Sequence, residues 1–139
     1  MLKHILNRSD QSCTSTSDER QKGFSVEYYR LPNGSYPAED FILSLDYKMQ
    51  AKVFRLLMLL EEYGNLLHEP YSKHVDDGIF ELRARQGNDT ARVLYFFVTG
   101  RKAILTNGFI KKTQKTPKEE IELAKKYRSD YFLTEDINE

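Results

Sequence analysis

The sequence predicts one α+β domain: an antiparallel sheet of about four strands, with two helices before its main strands and one helix after them. Three observations carry this reading. Ile79–Arg85, Ala91–Val98 and Lys102–Phe109 are apolar-rich runs separated by short turns, the pattern of an antiparallel meander. Met49, Val53, Leu56, Leu57 and Leu60 recur at helical spacing. Thr116-Pro117-Lys118-Glu119 then opens a helix directly after the last run. The length, 139 residues, suits a single domain.

Taken in order, residues 1–22 form an extension. Ser9 to Asp18 is almost wholly polar, with nothing to bury, and is expected to be flexible. The domain is expected over residues 23–133, followed by an acidic tail at 134–139. Phe24–Leu31 alternates apolar and polar residues and reads as the first strand. Pro32-Asn33-Gly34-Ser35 is a turn. Pro37 suits the first position of a helix, with Glu39 and Asp40 in its first turn. Asp46 is placed to cap a second helix that runs from Tyr47 to about Tyr63 and stops at Gly64.

Residues 65–78 read as a loop. Its His68, His74, Asp76 and Asp77 match no familiar ligand spacing, so neither metal nor cofactor is expected. In Ile79–Arg85 the residues Phe80, Leu82 and Ala84 face the core, and Glu81, Arg83 and Arg85 share the opposite face. Ala91–Val98 is nearly all apolar, as a central strand covered on both faces would be. The last helix is expected from Pro117 to about Ser129, with Thr116 and Glu119 as a capping box.

Charge narrows the function. The chain holds 21 basic and 21 acidic residues, so it is not a polyanion binder as a whole. Between Ile79 and Lys115, however, eight basic residues stand against two acids, Glu81 and Asp89, a local net charge of +6. A basic stretch in a neutral chain implies one polyanion-binding face. Cys13, the single cysteine, excludes an internal disulfide and a thiolate zinc site, and suits a reducing, cytosolic setting. Met1–Asn7 lacks the apolar region of a secretory signal, and Leu56–Leu60 is too short to span a bilayer.

The motif Gly108-Phe109-Ile110-Lys111-Lys112-Thr113-Gln114-Lys115-Thr116-Pro117 concentrates the chemistry. Three lysines precede a helix start whose free N–H groups carry partial positive charge, an arrangement suited to phosphate. Together with Phe80-Glu81-Leu82-Arg83 and Arg92-Val93-Leu94-Tyr95, this motif resembles the RelE superfamily of type II toxin–antitoxin toxins, closest to its HigB-like, phage-derived branch. The similarity covers about Pro37 to Tyr131.

The resemblance implies a ribosome-dependent mRNA endoribonuclease of the cytoplasm that cuts mRNA in the ribosomal A site without a metal. It implies silencing by a cognate antitoxin, a helix-turn-helix, HigA-like protein, with DNA met only through that complex and with no membrane partner. Carried over by position, the family's strand arginines fall on Arg92 and Arg83, and its basic residues after the last strand on Lys111, Lys112 and Lys115; with the residues that share their face or stretch, the candidate catalytic set is Arg92, Arg83, Lys112 and Glu81, and the candidate RNA-binding set is Arg85, Lys111, Lys115 and Lys102. RelE proper has lysines where this chain has Ile79 and Glu81, and a tyrosine near the start of the last helix that is missing here. The general base and general acid are therefore left open, with Glu81 as a base and Lys111, Lys112 and Lys115 as proton donors. Such cleavage needs bidentate charge stabilisation at phosphorus, which arginine supplies. The alternative is a basic module that binds RNA or protein without cutting.

Overall fold

The computed structural model describes residues 23–99, 101–111 and 115–138, with side chains through Glu135. The extension 1–22 and Lys112 lie outside the described residues. Among those described, five strands, β1 (Ser25–Tyr28), β2 (Ser72–Asp76), β3 (Ile79–Gln86), β4 (Asp89–Val98) and β5 (Lys102–Lys111), form one mixed sheet in the order β1-β5-β4-β3-β2. Three α-helices flank it: α1 (Pro37–Leu43), α2 (Tyr47–Tyr63) and α3 (Lys118–Asn138).

The first two helices start and stop for the reasons their sequences give. Pro37 opens α1 with its φ already helical. Asp46 caps α2, its Oδ1 accepting from the Met49 N–H at 2.8 Å. Gly64 ends α2 at φ 53°, and a Cβ there would lie 2.0 Å from the Phe24 ring, so close approach requires glycine as well. Ile42, Val53, Leu57 and Leu60 then bury one face of the sheet, against Leu82, Val93, Tyr95 and Leu105. On the other face Ala124, Tyr127 and Tyr131 of α3 pack on Ile79, Leu94, Phe96 and Ile104. Helices on both faces explain why β4 is apolar at successive positions.

The structure corrects the expected architecture in three places. The sheet has five strands, because Ser72–Asp76, inside the expected loop, pairs with β3. Its only buried residue is Ser72, so an edge strand facing water carries no apolar alternation to reveal it. The sheet is mixed, because β1 runs parallel to β5. A parallel neighbour needs a long crossover, and the α1–α2 pair is part of that connection. Helix α3 continues to Asn138 where an end near Ser129 was expected. No Gly or Pro interrupts it, and Tyr131 and Phe132 hold its second half against Phe96. The Thr116 hydroxyl, just before α3, donates to Glu81 of β3.

Gly108 fixes how closely α1 approaches the sheet. A Cβ there would sit 2.3 Å from the Phe41 ring. Gly108→Ala is therefore expected to destabilise the fold by about 1–3 kcal/mol through overpacking. Urea unfolding should show a lower midpoint at unchanged slope. An unchanged midpoint would mean that Phe41 moves aside freely.

Candidate nucleic-acid interface

The pleat brings the chemistry-bearing side chains to the α3 face of the sheet. Arg83 and Arg92 are direct cross-strand partners in β3 and β4, and Lys111 stands at the end of β5, opposite Thr90. Glu81, two residues before Arg83, lies on the same face and is 1% exposed. It is the hub of the group. Its Oε2 accepts from Arg83 Nε at 3.1 Å and from the Arg92 guanidinium, and its Oε1 accepts from the Thr116 hydroxyl at 2.8 Å. Both carboxylate oxygens are thus engaged, and the hydrogen bond from Thr116 ties the segment before α3 to the middle of the sheet. Asn107 adds a second tie, donating to Glu120 Oε1 at 2.9 Å.

Arg92 is 7% exposed. Burial pulls its guanidinium below the ordinary arginine value, and the Arg83 charge adds to that, while Glu81 opposes both. An arginine stays charged through such shifts. Its Nε is buried and has no hydrogen-bond partner among the described residues. Lys111 is pulled below the usual lysine range, first by burial and then by Arg92. Tyr95, by contrast, is core: burial pushes its phenol up to about 12, and its hydroxyl bonds to Ser72 at 2.5 Å.

Two clefts meet at this cluster, sharing Lys73, Arg83 and Lys111. The first, about 640 Å³, runs from β2 to the start of α3 and includes Glu81, Lys115 and Thr116. Its far wall is set by α3, which Lys125 ties to Asp76 at 2.6 Å and Arg128 ties to Asp77 at 3.0 Å. Those pairs absorb the two aspartates of the 65–78 segment, and His74 Nε2 accepts the Gly78 N–H at 3.0 Å. The second cleft, about 610 Å³, opens beside α2 and contains Arg85 and Arg92.

Of the residues singled out from the sequence, the structure brings together Arg83, Arg92, Glu81 and Lys111, with Lys115 and Arg85 along the two clefts. Lys102 is elsewhere. It sits at the opposite end of β5 and pairs with Glu27 of β1 at 3.6 Å. Sequence reasoning missed Thr116 as a partner of Glu81, and missed Lys73, which lay in the supposed loop. It also missed Lys52 and Arg55, although their spacing along α2 places them on one side of that helix.

The family model of the phage-derived Gp49-like (DUF891) proteins matches residues 40–129. The chain belongs to that family, which is RelE-like and toxin-like in character. Comparison with curated proteins returns no match. Among the described residues, no helix is long and apolar enough to cross a membrane.

Proposed function

We propose that this chain is the toxin of a type II toxin–antitoxin system of the HigB-like kind, a ribosome-dependent endoribonuclease that cuts mRNA in the A site and so stops translation in the cytoplasm. One observation carries the reading beyond family membership: Arg83, Arg92 and Lys111 converge around one buried carboxylate where two clefts join. Such a site suits a phosphodiester better than a small neutral ligand.

In the proposed reaction the substrate's 2′-oxygen attacks the adjacent phosphorus. The P–O2′ bond forms, the P–O5′ bond breaks, and the products are a 2′,3′-cyclic phosphate and a 5′-hydroxyl. Arg92 and Arg83 stabilise the charge on the phosphorane oxygens. Lys111, made a stronger acid by burial and the Arg92 charge, gives its proton to the leaving 5′-oxygen, a role for which the sequence offers Lys112 as well. Glu81 holds the two arginines at the cleft junction. It becomes an acceptor for the 2′-OH proton only when the phosphate draws an arginine away from it. No step uses a metal ion.

A toxin of this kind is silenced by a folded antitoxin, here a helix-turn-helix protein of the HigA-like class. Phe132 and Leu133, exposed near the end of α3, offer apolar anchors on the last helix. Expression of this chain alone is expected to arrest growth, and co-expression of the adjacent gene to relieve the arrest and give a complex on a sizing column. Arrest that persists, with no complex formed, would count against the pairing. The competing reading, a basic module that binds without cutting, draws on the engagement of both Glu81 oxygens. It predicts ribosome or RNA binding with intact mRNA.

A further inference from the structure

We propose that the second cleft is a nucleotide subsite, in which Tyr71 is the stacking platform for a base flanking the cleaved phosphate and Lys52, Arg55 and Lys73 hold the neighbouring phosphates. The inference deepens the endoribonuclease reading, on which it rests, by assigning a second, ribosome-independent contact to single-stranded RNA.

The cleft is lined by cations from five elements, α2, β2, β3, β4 and β5, and no acidic residue lines it among the described residues. Its floor is different. Leu56 and Leu59 of α2 and the Tyr71 side chain give it an apolar base. An apolar floor with a cationic rim matches a nucleotide, whose base is flat and apolar on its faces and whose backbone is anionic. An acidic peptide would use the rim and leave the floor unexplained.

Tyr71 has the attributes of a platform. Its residue is 44% exposed, so the ring is open to a ligand, yet its backbone is fixed. The Tyr71 carbonyl accepts the Arg83 N–H at 3.0 Å, and the Tyr71 N–H donates to the His68 carbonyl at 3.0 Å. The next residue, Ser72, is buried and locked to Tyr95. The ring is therefore held one backbone hydrogen bond away from an arginine of the reaction site. Continuity supports the direction of the strand, because Arg83 and Lys111 line both clefts and Lys73 spans them. A single RNA strand with its cleaved phosphate over Arg83 and Arg92 would run straight into this cleft.

The test uses the full chain and a short 2′-O-methyl oligoribonucleotide, which cannot be cut, with 2-aminopurine placed at each position in turn, at about 50 mM salt. One position is expected to be quenched on binding to the wild type. Tyr71→Ala should abolish that quenching and weaken binding by about 5- to 150-fold, the usual loss per stacked base. Tyr71→Phe should keep both. Lys52→Ser with Arg55→Ser should lower the salt slope by about 1.4, or 0.7 for each single-strand phosphate no longer neutralised. Wild-type quenching and affinity in a Tyr71→Ala chain that melts normally would overturn the proposal. So would no binding by the wild type, or displacement of the oligonucleotide by polyglutamate as readily as by unlabelled oligonucleotide of equal charge. If Tyr71-dependent binding is found but mRNA on ribosomes stays intact, the cleavage reading falls and this subsite stands.

Discussion

Arg92→Ala is expected to slow single-turnover mRNA cleavage by about 10²–10³-fold, the usual effect of removing one preorganised charge stabiliser. Ribosome binding should fall much less, since Arg85, Lys111 and Lys115 remain along the clefts. The side chain also has a structural part. It is buried and shares Glu81 Oε2 with Arg83, so its removal leaves a buried carboxylate short of one partner. Breaking such a pair typically costs about 3–5 kcal/mol. The measurement is therefore made well below the variant's melting temperature and paired with Arg92→Lys. Lysine restores charge beside Glu81 but not the two-pronged fork. It should recover most of the stability and only part of the rate. Full activity in a folded Arg92→Ala chain would remove Arg92 from the site.

A loss of stability at least as large is expected at Glu81. Glu81→Ala takes away the acceptor shared by Arg83, Arg92 and Thr116, leaving two guanidinium groups close together and Thr116 unanchored. A loss of about 3–5 kcal/mol is expected, again the cost of stranding a buried charge. At roughly 4 °C per kcal/mol for a domain of this size, the melting point should fall by about 12–20 °C. Glu81→Gln separates holding from proton transfer. Glutamine still accepts hydrogen bonds through its one oxygen but cannot take a proton at neutral pH. If Glu81 mainly positions the arginines, Glu81→Gln should keep a measurable fraction of the rate, and its loss should track its loss of stability. A Glu81→Gln chain that melts like the wild type yet cuts nothing would make Glu81 the proton acceptor outright.

How much of this was legible in the sequence depended on what each residue faces. The helix α2 could be read from Asp46 to Gly64 because its cap, its stop and its apolar stripe are all local signals. The face shared by Glu81 and Arg83 followed from strand alternation alone. Strand β2 could not be read, because a water-facing edge strand needs no apolar residues and its pairing with β3 is held by backbone bonds. The direction of β1 was hidden for a related reason: four residues beside β5 can pair in either sense, and the choice lies in the crossover. The burial of Glu81 was also out of reach. A glutamate among arginines on a strand reads as a solvated ion pair. Only the tie to Thr116, 35 residues away, closes the site above it. Lys52 and Arg55 join the second cleft through the packing of α2 on the sheet, which no spacing within the helix records.

The most direct test of the central claim is end-group analysis of mRNA incubated with the purified wild-type chain on programmed, translating ribosomes, with and without EDTA under conditions that keep the ribosomes intact. The account predicts cuts in the A-site codon bearing a 2′,3′-cyclic phosphate and a 5′-hydroxyl, at a rate unchanged by chelator, and no cuts in the same mRNA free of ribosomes. Intact mRNA on ribosomes that have bound the chain, or cleavage that stops when EDTA is added, would contradict it.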